Sequence, residues 1–70
     1  MSVQDDIAKV YTYAAPKPDQ IPRYQELRAA AKAFAELIAE ACPASRERSL
    51  AFTNLEQVVM WANASIARNS

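Results

Sequence analysis

The sequence predicts an all-α protein: a short N-terminal helix followed by an antiparallel helical hairpin. Two observations carry this. Alanine, the best intrinsic helix former, clusters at Ala29, Ala30, Ala31, Ala33, Ala35, Ala39 and Ala41. Apolar residues recur at spacings of three and four, and four prolines divide the chain into segments. The expected division of the single domain, 1–70, is an arm with a short helix over 1–19, a second helix over 20–42 and a third over 45–68.

The first helix is expected over 3–10, with Ser2 as its cap and Asp5 and Asp6 at its positive end. Val3, Ile7 and Val10 give it one apolar stripe. The stretch from Tyr11 to Pro18 contains Pro16 and Pro18 and should be extended. Its two tyrosines, Tyr11 and Tyr13, either serve a ligand or tack the arm onto the helices.

The second helix should begin with Asp19 as N-cap and Pro22 in its first turn, where a missing N–H costs little. Tyr24, Leu27, Ala31, Phe34, Ile38 and Ala41 form a heptad-like seam. Cys42-Pro43 ends that helix, and Ser45 starts the third as its N-cap. Ala51, Leu55, Val58, Ala62 and Ile66 are its expected stripe, while Leu50, Val59, Met60 and Trp61 fall partly outside it. Helices joined by so short a connection are antiparallel neighbours. The excess apolar surface calls for a second interface. A chain this short, without a disulfide or metal to stabilise it, is expected to form a homo-oligomer.

Composition excludes most catalysts. There is no histidine, the commonest general base and metal ligand, and no glycine for a phosphate-binding loop. Cys42 therefore has no histidine to activate it and reads as a packing residue. Glu36 and Glu40, and Asp5 and Asp6, read as solvated charge. No enzyme, no metal site and no cofactor is expected. Eight cations balance eight anions, which argues against binding to long nucleic acids. No apolar run approaches the roughly 20 residues that span a bilayer, and the first residues lack a signal-peptide core. A soluble, cytoplasmic protein with no membrane partner is expected.

Binding chemistry is better represented. Arg28 and Lys32 lie one turn apart on the second helix. Arg46 and Arg48 flank the start of the third, followed by Ser49 and Thr53 one turn apart. Free N–H groups at a helix start favour anions without any glycine. Arg28 is thirteen residues before Ala41, roughly 20 Å from the turn at about 1.5 Å per residue. The two basic groups thus form separate sites or meet across subunits. Failing a ligand, they are surface charge.

Taken together, Tyr11-x-Tyr13, Gln20, Tyr24, Leu27-Arg28 and Ala31-Lys32, then Cys42-Pro43, Ser45-Arg46-Glu47 and Ser49-Leu50-Ala51-x-Thr53-x-Leu55-Glu56, with Met60-Trp61-Ala62-Asn63-Ala64 and Ile66-Ala67-Arg68, resemble a phage family. This is the family of anti-CBASS cyclic-nucleotide sponges, whose helical hairpin is shared with an anti-Thoeris sponge. The resemblance covers roughly 11–69, and 45–68 is its specific part. It implies a non-enzymatic hexamer in the host cytoplasm. Such a hexamer captures cyclic dinucleotides between subunits and, in some members, cyclic trinucleotides on the threefold axes. Cyclic ADP-ribose isomers are further candidate ligands. By the resemblance, Tyr13 stacks on a base, Arg28 replaces a phosphate-contacting lysine, Thr53 matches a third-helix threonine and Arg46 a basic position before it. Ala14 stands where many relatives have histidine, and Phe52 where the founding sponge has arginine. The latter change bears on the trinucleotide site. From the residues alone, a helical hairpin that docks another protein through Met60 and Trp61 is the alternative.

Overall fold

The computed structural model describes residues 2–13 and 15–70 as three helices. The first, α1, is Val3–Tyr11; α2 is Ile21–Ala41; α3 is Arg46–Asn69. Among the described residues there is no strand.

Local chemistry sets most helix ends. At the start of α1 the Ser2 hydroxyl accepts the Asp5 N–H at 3.1 Å, which satisfies one of the free donors of the first turn. The helix runs one residue beyond the expected 3–10 and stops where Thr12 turns extended. At the other end of the chain, Ser45 caps α3 as expected: its hydroxyl accepts the Arg48 N–H at 3.1 Å and donates to the Pro43 carbonyl at 3.0 Å. Cys42 is extended, with φ −110° and ψ 130°, as its place before Pro43 requires. The third helix continues to Asn69, past the expected end.

The start of α2 differs from expectation. Its cap position is Gln20, not Asp19, and no side chain caps it. Asp19 instead pairs with Arg23 at 3.6 Å. The reason is that Gln20 already has helical backbone angles, φ −85° and ψ −28°, which places Asp19 one residue too early to reach the free N–H groups. Pro22, with no N–H of its own, leaves one fewer donor to satisfy.

Helices α2 and α3 pack side by side as the antiparallel hairpin. The body measures 45 × 27 × 16 Å. Its thinnest dimension is hardly more than one helix, about 10–12 Å across with side chains, so the protomer is a single layer. A single layer encloses no core: among the described residues none that is apolar is buried.

The half-buried seam is shifted from the expected one on both helices. On α2 it comprises Tyr24, Leu27, Ala31, Ala35 and Ile38, while Phe34 is 55% exposed and Ala41 is also exposed. On α3, Ala51, Leu55, Ala62 and Ile66 lie in the seam, but Val59 takes the place of Val58, which is 61% exposed. Both helices carry apolar residues on adjoining faces, so spacing alone fits more than one stripe. Small alanines suit close approach of the backbones, and the bulky Phe34 is left outside, while Val58 yields its place to the identical Val59 by a change of helix face.

Candidate functional site

The expected binding residues fall into three places on the protomer. Tyr11 and Tyr13 follow directly from the end of α1. They line a cleft of about 300 Å³ with Lys9 from α1 and with Ala67 and Arg68 from the last turn of α3. Tyr13 is 86% exposed, so its ring faces are open to a partner or ligand. Lys9 donates from Nζ to Asn69 Oδ1 at 3.2 Å, which ties α1 to the end of α3.

Arg28 lies elsewhere. It lines a second cleft, of about 430 Å³, with Pro16, Ile21, Tyr24, Gln25 and Asn63. The floor of this cleft includes an unsatisfied group: Asn63 Oδ1 is buried and has no hydrogen-bond partner among the described residues. Buried acceptors are nearly always paired, so this one stands out. Lys32, one turn after Arg28, lines neither of the two clefts. The pairing of the arm tyrosines with Arg28 and Lys32 is therefore not made within one chain. Each cleft is nevertheless lined by a tyrosine and an arginine, Tyr13 with Arg68 and Tyr24 with Arg28.

The third place is the turn end of the hairpin. Arg48 folds back there, donating from Nη1 to the Cys42 carbonyl at 3.2 Å, with its guanidinium carbon 5.9 Å from the centre of the Phe52 ring. It supports the C-terminal end of α2, where cations are favoured. The Ser49 hydroxyl donates to the Ser45 carbonyl at 3.2 Å, and the Thr53 hydroxyl to the Ser49 carbonyl at 3.1 Å. These are bonds of a helix to its own side chains. Arg46 is exposed beside them. The departure at Ala14 lies outside the described residues. Phe52 is half-buried, under Arg48.

Arg68, Lys9, Tyr24 and Asn63 were not among the expected binding residues. Arg68 reads in the sequence only as a cation at a helix end. Its meeting with Tyr13 depends on where the arm lands on α3, and no periodicity encodes that. Tyr24 reads as a seam residue, and its half-buried place does belong to the seam, with one edge open to the cleft. Asn63 offers a weak signal, an amide within an apolar stripe.

Across the face of the hairpin runs an apolar groove lined by Leu27, Ala31 and Phe34 from α2 and by Leu55, Val58 and Ala62 from α3. Among the described residues, no group of three or more acidic or sulfur side chains could hold a metal ion, and no helix is long and apolar enough to cross a membrane.

Comparison with known proteins agrees with this architecture. Residues 4–67 match the family described as Acb2/Tad1, hairpin domain. No curated protein and no solved structure matches the chain significantly.

Proposed function

The chain belongs to the Acb2/Tad1 hairpin-domain family, and from that premise we propose that it is a phage sponge for cyclic oligonucleotide second messengers. It binds and sequesters them without degrading them, in the host cytoplasm, and so blocks CBASS or Thoeris-type signalling. Its ligands are cyclic dinucleotides, with cyclic trinucleotides and cyclic ADP-ribose isomers as further members of the class. The working unit is a homo-oligomer, a hexamer by the family resemblance.

One observation carries the reading. Two clefts of the protomer are each lined by a tyrosine and an arginine, and both open on the surface of a one-layer body. A cyclic dinucleotide presents two aromatic bases and two phosphates. Stacking on tyrosine contributes about 1–3 kcal/mol per base, and charge-assisted hydrogen bonds to phosphate are stronger than neutral ones. A second protomer laid against the exposed apolar surface would close these clefts and bring Arg28 of one chain toward the tyrosine arm of another. Capture needs tight binding with no turnover, and the histidine-free composition suits it.

Titration calorimetry against cyclic di- and trinucleotides and cyclic ADP-ribose isomers tests this, with mass spectrometry of the ligand recovered after denaturation. Tight binding and an intact ligand are expected. Absence of binding to every member, or recovery of a cleaved product, overturns the reading. Assembly is tested separately by light scattering. Phe34→Glu sets a charge in the apolar groove and is expected to raise the oligomer's dissociation constant at least about 30-fold, as for a central interface aromatic worth about 2 kcal/mol or more.

A second reading has its own observation. Trp61 is 64% exposed and Met60 is exposed beside it on α3, a surface suited to docking another protein. A parent protein that is a stable monomer and binds no cyclic nucleotide would favour that module.

A further inference from the structure

One described residue alone is buried, and it is polar: Gln20, 3% exposed. A molecule with no buried apolar side chain has nonetheless enclosed a carboxamide, and every polar atom of that carboxamide is engaged. Its Oε1 accepts the Lys17 N–H at 3.0 Å. Its Nε2 faces three oxygens at the end of α3: the Ile66 carbonyl at 3.3 Å, the Ser70 backbone oxygen at 3.1 Å and the Ser70 hydroxyl at 3.3 Å. Lys17 Nζ reaches the same Ser70 backbone oxygen at 3.2 Å, and Arg23 reaches the Ser70 hydroxyl at 3.3 Å.

The chemistry at this point admits little else. The Lys17 N–H demands an acceptor, and the oxygens at the end of α3 take a further donor although the Ile66 carbonyl already accepts the Ser70 N–H at 3.2 Å and the Ser70 hydroxyl at 2.8 Å. A carboxamide supplies both from one planar group. A carboxylate could not donate, an ammonium could not accept, and an apolar side chain would leave the Lys17 N–H without its acceptor.

We propose that Gln20 is a positioning residue, a latch that holds the tyrosine arm on the last turn of α3 in readiness for ligand. Among the described residues the arm is held on both sides of the tyrosines. Before the tyrosines, Lys9 bonds to Asn69; after them, Gln20 clasps Lys17 and the Ile66 and Ser70 oxygens. Tyr11 and Tyr13 lie between these anchors, sharing their cleft with Ala67 and Arg68 of the same turn. Gln20 lines neither tyrosine-bearing cleft, so its effect on binding is through placement of the arm. An arm fixed before the ligand arrives does not lose its freedom at the moment of binding, and affinity is higher by that amount. This inference rests on the reading that the arm tyrosines receive the ligand.

The test uses the whole chain in its assembled state and two variants. Gln20→Met keeps the length of the side chain and removes both hydrogen-bonding functions. Gln20→Glu keeps the acceptor for the Lys17 N–H and removes the donor to α3. Amide hydrogen exchange, light scattering and calorimetric titration with cyclic di-AMP are measured on each, with Tyr13→Ala as the binding control. For Gln20→Met, exchange of the Lys17 amide is expected to rise about tenfold or more, as for a lost buried hydrogen bond. Exchange within 27–40 and 50–62, and the oligomer mass, should stay as in the parent. The dissociation constant for cyclic di-AMP should rise about tenfold. The amide of Lys17 itself should stay protected in Gln20→Glu and lose protection in Gln20→Met.

Unchanged exchange of the Lys17 amide in Gln20→Met overturns the latch. So does a freed arm with unchanged affinity, because placement would then not matter to binding. Loss of protection throughout α2 and α3 overturns it as well, since Gln20 would then hold the hairpin as a whole. A parent that binds no member of the cyclic-nucleotide panel overturns the functional reading instead, and the exchange of the Lys17 amide still decides whether Gln20 holds the arm.

Discussion

The two ends of the hairpin are built from similar side chains in opposite ways. At the turn end, between α2 and α3, hydroxyls and a guanidinium bond only to backbone within six residues: Ser45 to Arg48 and Pro43, Arg48 to Cys42, Ser49 to Ser45, Thr53 to Ser49. At the open end, Lys9, Lys17, Gln20 and Arg23 reach Ile66, Asn69 and Ser70 across 46 to 60 residues of sequence. The turn end is thus complete in itself and mainly stabilises a helix start. The open end assembles three segments of chain and, in doing so, brings Tyr13 and Arg68 to one cleft. A polar cluster that closes on its own helix is part of the scaffold; one that gathers distant segments fixes how those segments meet.

That contrast can be broken by substitution. The largest effect is expected at the open end: Tyr13→Ala should weaken cyclic-dinucleotide binding about 10- to 100-fold, in line with roughly 1–3 kcal/mol for a stacked base. Helix content by circular dichroism should not change. Arg28→Met, in the cleft with Tyr24 and Asn63, comes next, with a loss of about tenfold from a charge-assisted contact. Equal affinity for the parent and both variants would place the pocket elsewhere.

At the turn end the expected effects are on stability. Ser45→Ala removes the cap of α3 and should cost about 1 kcal/mol in denaturant unfolding. Ser2→Ala removes the same kind of cap from α1, whose apolar residues Val3, Ile7 and Val10 stay exposed. There, only faster exchange within 3–11 is expected, with the global midpoint unchanged. The smallest effect is assigned to Thr53→Val, within about 0.5 kcal/mol of the parent and within about twofold in dinucleotide affinity. A large loss of ligand affinity in Thr53→Val would erase the distinction between the two ends.

Legibility in the sequence follows the same division. Ser2 and Ser45 could be read as caps because a cap bonds to a backbone group three residues away. The end of α2 was legible because Pro43 constrains Cys42 directly. Asp19 misled: a carboxylate before a Pro-containing first turn has the form of a cap, yet whether Gln20 is already helical decides which residue holds the position. Phe34 and Val58 misled for a different reason. Their spacing fits a seam, but alanine-rich faces pack at closer approach than a phenylalanine allows, and Ala35 and Val59 lie inward instead. Arg48 was legible as a cation at a helix start, whereas its bond to Cys42 depends on the path of the turn.

The sequence by itself determined three helices, the Ser2 and Ser45 caps, the antiparallel pairing and the absence of the residues that most enzymes need, because these follow from spacings of a few residues and from composition. Only the tertiary structure decided which apolar face each helix turns inward, which cations stay available and which tyrosine meets which guanidinium. Those outcomes depend on contacts between residues far apart in the chain, at an end of the hairpin where Gln20 fastens the arm to the last turn of α3.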